Sequence, residues 1–238
     1  MNISDHTYKK FDAELETLRA SVMQMGGLVQ AQIMTAIDAF IAGDHDRMEK
    51  VIADDHRVNG LEVNIDEECS QIIVKRQPAA NDLRLVMAVS KIVTDLERIG
   101  DEAAKIARIG RMVLQRDHLN TPRVSYVRDV AEISVGMLRG VLDAFARLDA
   151  VKAASIIRED QAIDEKFRGI MRQLITYMLE DPRTITSAFD IVFIAKAIER
   201  IGDHAKNIAE NVIYIVKGKD VRHIAFDQLE HTAHSNAP

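Results

Sequence analysis

The 238-residue chain carries 31 Lys and Arg against 37 Asp and Glu, a net charge of −6, and 47% of it is hydrophobic. Its 11 glycines and 4 prolines make up about 6% of the chain, roughly half the usual share, which argues against sandwiches, barrels and Pro/Gly-rich disorder. The acidic balance, with no Lys/Arg-rich cluster, argues against nucleic acid as a partner.

The absence of Trp and an aromatic share of only 5% leave Met, Ala, Leu and Ile to build the core, a helix-bundle composition. Cys69 is the only cysteine and reads as a small core residue of a reducing compartment. No basic-then-apolar leader is apparent, and no uncharged run is expected to approach the ~18–20 residues of a membrane span. A soluble, cytoplasmic protein is the expectation.

Taken in chain order, the periodicity predicts six long helices at about 6–42, 44–76, 80–116, 122–148, 149–180 and 184–217. Gly43 and Asp44 read as a helix-ending glycine followed by an N-cap, and Asp149 as a second N-cap. Pro78, Pro122 and Pro182 mark the joints. The segment from Gly218 to Pro238 has little periodicity and is expected to be a flexible tail.

The third predicted helix carries an unbroken four-three stripe of Ile92, Leu96, Ile99, Ala103, Ile106, Gly110 and Val113. The sixth repeats it as Ile194, Ile198, Ile201, Ala205, Ile208, Val212 and Ile215, at a constant offset of 102. Residues 97–107, ERIGDEAAKIA, match residues 199–209, ERIGDHAKNIA, at eight of eleven positions. Asp38-Ala39-Phe40 recurs as Asp143-Ala144-Phe145, and Asp44 as Asp149, at an offset of 105. The fold class is therefore all-α, two tandem three-helix bundles related by internal duplication, with units at 1–119 and 120–217.

Glu97 and Asp101 stand one helical turn apart on one face, as do Glu199 and Asp203, with Asn207 a turn further on. Like charges at this spacing repel by a few tenths of a kcal/mol. Counting from the joint at Pro78, Asn59 and Glu97 are both 19 residues away, and Asp55 and Asp101 both 23. Around Pro182, Asp160 and Asp164 fall similarly level with Asp203 and Glu199. Asp55 and Asp160 each occupy a seam-like slot on the second and fifth helices, where a carboxylate needs a cation or a donor. Arg98, Arg200, Lys105 and Arg158 are the candidate counter-ions. A metal is the sharper candidate, and an all-oxygen donor set suits Mg²⁺, Mn²⁺, Ca²⁺ or a hard iron ion. His56 and His204 flank the rows and read as surface histidines. Gly100 and Gly202, inside the repeated motif, read as points of close helix approach. The sequence contains neither an E-x-x-H nor a phosphate-binding loop, and no convergent basic cluster is visible in it.

The doubled ERIGD-x-A-x-x-I-A, the duplicated six-helix plan and the F-x-x-E-L at Phe11–Leu15 resemble the PhoU family of bacterial phosphate-transport regulators. The resemblance spans about residues 8–217. It implies a cytoplasmic homodimer peripheral to the inner membrane, and not an enzyme. Such a protein would link the ATPase subunit of a phosphate ABC transporter to a sensor histidine kinase and repress signalling when phosphate is plentiful. It also implies bound Fe, Zn, Mg or Mn at Asp55, Asn59, Glu97, Asp101, Asp160, Asp164, Glu199, Asp203 and Asn207. Asn59 in place of an acid, and Lys105 where the second unit has Asn207, imply a weaker first site. A metal-dependent hydrolase and a purely structural bundle are the alternatives.

Overall fold

The structure is a computed structural model that describes residues 3–116 and 125–235. Six long helices form in the predicted order: α1 (Ile3–Ala42), α2 (His45–Arg76), α3 (Ala80–Arg116), α4 (Ser125–Arg147), α5 (Ala150–Glu180) and α6 (Ile185–Lys217). A short α7 (Phe226–His234) follows, and no strand occurs among the described residues. The chain is all-α, two tandem three-helix units. The expected boundary at Asn120–Pro122 lies outside the described residues.

The joints follow their local chemistry. After α1, the N–H of Gly43 bonds the Phe40 carbonyl and that of Asp44 bonds the Ala39 carbonyl, a Schellman closure with Gly43 at φ +70°. Asp44 then caps α2 by accepting from the Arg47 N–H at 3.0 Å. The second unit repeats each step: Leu148 bonds Phe145, Asp149 bonds Ala144, and the Asp149 carboxylate accepts from the Lys152 N–H at 2.9 Å. Leu148 holds φ +53° where the first unit has glycine, a left-handed conformation that costs about 1 kcal/mol for a residue with a Cβ. At the other joint, Asp181 caps the turn Pro182–Thr184 that leads into α6.

The two units share one core. Helices α3 and α6 make the most extensive helix–helix contact in the molecule, and α1 and α4 also meet. The two repeated stripes meet there: Leu96, Ile99, Ala103 and Ile106 of α3, and Ile198, Ile201, Ala205 and Ile208 of α6, are all fully buried. Cys69 is buried on α2, and desolvation pushes its thiol up to about 12, so it stays protonated and unreactive.

Gly100 and Gly202 bring helices together. A Cβ on Gly202 would stand 2.7 Å from the Ile163 Cδ1 of α5, and one on Gly100 would stand 3.2 Å from the Val58 Cγ1 of α2. These approaches set α2 against α3, and α5 against α6, at the height of the acidic rows.

Two sequence expectations are corrected. Residues 20–37 of α1 are an uncharged run of 18, and by length and mean hydropathy of 1.3 this helix could cross a membrane. It is apolar because α2, α3 and α4 all pack on it, and half of its most apolar window is buried. The segment after Gly218 is also more ordered than expected. Leu229 and Ala233 bury one face of α7, which packs chiefly on α5. Arg158 fastens it, bonding Glu230 at 3.0 Å while lying 4.7 Å over the Phe226 ring.

Candidate functional site

In the first unit, α2 and α3 bring Asp55, Glu97 and Asp101 together. Burial pushes the Asp55 carboxyl above its ordinary range, and the neighbouring Asp101 pushes it further. Glu97 is raised in the same way, first by burial and then by Asp101, Glu62 and Asp55. Glu62 is itself raised by burial and by Asp66 and Asp101, against a hydrogen bond from Thr94. Glu62 is thus a fourth member, not among the residues expected from spacing, although it stands seven residues beyond Asp55 on the same face of α2. Arg98 and Arg108 supply some attraction at a distance. The Oδ1 atom of Asp55 is buried and has no hydrogen-bond partner among the described residues.

The second unit holds the equivalent cluster of Asp160, Glu199 and Asp203. Asp160 is buried, as its seam slot implied. Its charge is met by Lys206, whose Nζ lies 2.9 Å from Oδ2. Lys196 similarly clamps both carboxylate oxygens of Glu199, at 2.5 and 2.6 Å. Asp203 is raised by desolvation and by Glu199 and Asp160, against the pull of Lys196 and Lys206. Burial works against the Lys206 charge, but the Asp160 hydrogen bond and the acids around it hold its pKa above the ordinary value.

The two rows are therefore electrostatically unequal. Positions 196 and 206 are lysines in the second unit, while the corresponding positions of the first are Thr94 and Ala104. The second row carries its own counter-ions, whereas the first is a half-buried cluster of acids that, among the described residues, has no ammonium group paired to it. Close like charges of this kind favour binding of a cation.

Other anticipated participants lie elsewhere. Asn59 is exposed on α2 and Asp164 is half-buried on α5, and among the described residues neither bonds to a row. The amide of Asn207 turns away from Asp203 and donates to Asp95 of α3 at 3.1 Å. Three of the four anticipated counter-ions are engaged outside the rows: Arg200 meets Glu102 at 2.6 Å, Lys105 meets Glu102 at 3.1 Å, and Arg158 meets Glu230. His204, expected at the surface, is buried with Nδ1 2.9 Å from the Asp95 carboxylate, because α3 covers that face of α6. Among the described residues, no three His, Cys, Asp or Glu side chains converge closely enough to hold an ion as they stand.

Comparison with known proteins agrees with this duplicated architecture. The PhoU domain matches twice, over residues 22–110 and 127–212. A phosphate-specific transport system accessory protein PhoU of Escherichia coli (strain K12) is 47% identical over 230 residues, covering 97% of this chain and 95% of the relative. The crystal structure of PhoU from Pseudomonas aeruginosa superposes with a TM-score of 0.84 at 45% identity, covering 88% of this chain and all of that one. The phosphate transport system regulatory protein PhoU from Streptococcus pneumoniae gives 0.82 at 29% identity, covering 89% of this chain and 99% of that one. With its repeated ERIGD helices, paired acidic rows and end-to-end similarity to these proteins, the chain belongs to the PhoU family.

Proposed function

We propose that this protein is a non-enzymatic regulator of phosphate uptake and of the phosphate-starvation response. In this reading it is a cytoplasmic homodimer, held at the inner membrane only through its partners. It links the ATPase subunit of a phosphate ABC transporter to a sensor histidine kinase and holds the kinase inactive when phosphate is plentiful. The observation that carries the reading is the match over 97% of the chain to proteins named for the phosphate-specific transport system. Its helices present long faces for partners. The phosphate signal reaches it through the transporter.

The first-unit acids supply the chemistry for a hard cation. Asp55, Glu97 and Asp101 are all oxygen donors, with Glu62 beside them, and the buried Asp55 Oδ1 lacks a partner. This set suits Mg, Mn or Fe better than Zn. Asp160, Glu199 and Asp203 are the second-unit donors, where a cation must displace Lys196 and Lys206. A bound ion would neutralise the rows and fix the α2–α3 surface that a partner meets.

The test is complementation of a strain lacking its own protein of this class, read by a phosphate-starvation reporter in phosphate-rich medium. Restored repression, with co-purification of the ATPase and the kinase, supports the reading. A well-expressed chain that leaves the reporter fully on overturns it.

A further inference from the structure

A polar cavity of about 470 Å³ opens between α3, α6 and the loop after α6, and none of Asp55, Glu97, Asp101, Asp160, Glu199 and Asp203 lines it, although its wall residue Thr94 reaches Glu62 behind it. Every residue lining it is polar or charged. Its cations come from three separate places: Lys91, Arg98 two turns further along α3, and Arg222 beyond the end of α6. That is why no basic cluster shows in the sequence.

The internal duplication shows what this cavity lacks. Arg98 and Arg200 are equivalent positions of the repeated motif. Arg200 reaches across to Glu102 of α3, with Nη1 2.6 Å from Oε1, and Lys105 closes the same carboxylate at 3.1 Å. The position equivalent to Glu102 is His204, which offers Arg98 no carboxylate. Among the described residues, Arg98 has no acid within ion-pairing distance. Asp95, the acid nearest in sequence on the cavity wall, is already held by His204 at 2.9 Å and Asn207 at 3.1 Å. Glu210 is buried, and its position places it near Lys206 and Arg222. Arg222 is engaged by Asp220 at 2.5 Å. The planar fork of Arg98 is thus the open donor of the site, with Lys91 one side and the neutral groups of Thr94 and Asn211 beside it.

We infer that this cavity binds a small oxyanion-bearing metabolite, its carboxylate or phosphoryl group seated on Arg98 and Lys91 where the duplicate site has the Glu102 carboxylate. A guanidinium matches either group through two parallel hydrogen bonds, and the cavity volume is that of a small-molecule site. The inference does not rest on the adaptor reading, because it uses neither acidic row.

The full chain is titrated in a calorimeter at low salt with citrate, AMP, inorganic phosphate and sulfate in turn. Saturable one-site binding of at least one probe is expected. Arg98→Gln weakens it about tenfold or more, whereas Arg200→Gln, at the internally closed site, leaves it within about twofold. His204→Glu supplies Arg98 with an internal carboxylate and abolishes binding. Circular dichroism verifies that each variant folds, and Arg98→Gln, a surface change, serves if His204→Glu does not. Binding by citrate or AMP alone assigns a metabolite. Binding by inorganic phosphate supports the cavity while contradicting indirect phosphate sensing. No saturable binding of any probe at millimolar concentration, or binding unchanged by Arg98→Gln, overturns the inference.

Discussion

The Nζ of Lys206 lies 2.9 Å from Oδ2 of the buried Asp160, while for Asp55, which occupies the same slot in the first unit, the position equivalent to the lysine is Ala104. One duplication has thus produced two acidic rows with opposite electrostatic states. Removing the lysine leaves a buried carboxylate without its donor, a change that costs about 1–3 kcal/mol. Lys206→Met, which retains most of the aliphatic stem, is expected to lower the thermal midpoint by several degrees for a chain of this size. Lys219→Met, at an exposed position, is the control and should change nothing. Equal midpoints for the two variants would show that the Lys206 pair contributes no net stability.

The first row predicts a pH dependence. Burial, then repulsion from Asp101, Glu62 and Asp55, raises the Glu97 carboxyl above its ordinary value of 4.5. A group raised in the folded state gives its stabilisation below the ordinary pKa and loses it as pH climbs through the folded value. Glu97→Gln removes that loss. The variant is expected to be more stable than the parent at pH 7, by on the order of 0.5 kcal/mol for a partly solvated cluster. The difference should vanish below about pH 4, where the parent is protonated as well. Urea unfolding of both proteins from pH 4 to pH 8 measures it. A gain that is the same at every pH would assign the effect to packing.

Much of the fold was legible because duplication doubled each signal. The four-three stripes on α3 and α6 identified the two helices that carry the common core, and Asp44 and Asp149 marked two caps that the structure closes in the same way. Counting from Pro78 put Asp55 level with Asp101, and the electrostatic coupling of those two carboxyls agrees. What could not be read was direction within a face. Asn207 shares the Asp203 row by spacing, but at the α3–α6 junction its amide finds the Asp95 carboxylate. His204 looks like a surface residue on one helix alone and is buried only because a second helix covers it. Lys196 and Lys206 flank Glu199 and Asp203 in the sequence, yet their role depended on which acids they could reach. Leu148 shows the converse: the first unit's glycine predicts a left-handed residue there, and the backbone adopts that conformation without one.

Gln32 offers the sharpest test of the shared plan. It sits on α1 inside the core, 5% exposed, and neither its Oε1 nor its Nε2 has a hydrogen-bond partner among the described residues. Its Oε1 lies near the close approach at Gly100, 3.5 Å from where a Cβ would stand. The equivalent residue of the second unit, at an offset of 105, is Met137, which is fully buried. Methionine has nearly the shape of glutamine and no polar group to desolvate. A buried amide left unpaired costs about 1–3 kcal/mol, so Gln32→Met is expected to raise stability by about that amount, with a matching rise in the thermal midpoint. The reciprocal Met137→Gln should lose a similar amount, since it buries an amide in an apolar slot. Chemical denaturation of the two variants decides the matter. If Gln32→Met lowered stability, the amide would have to be making bonds to an enclosed water, and the equivalence of the two core slots would fail at this position.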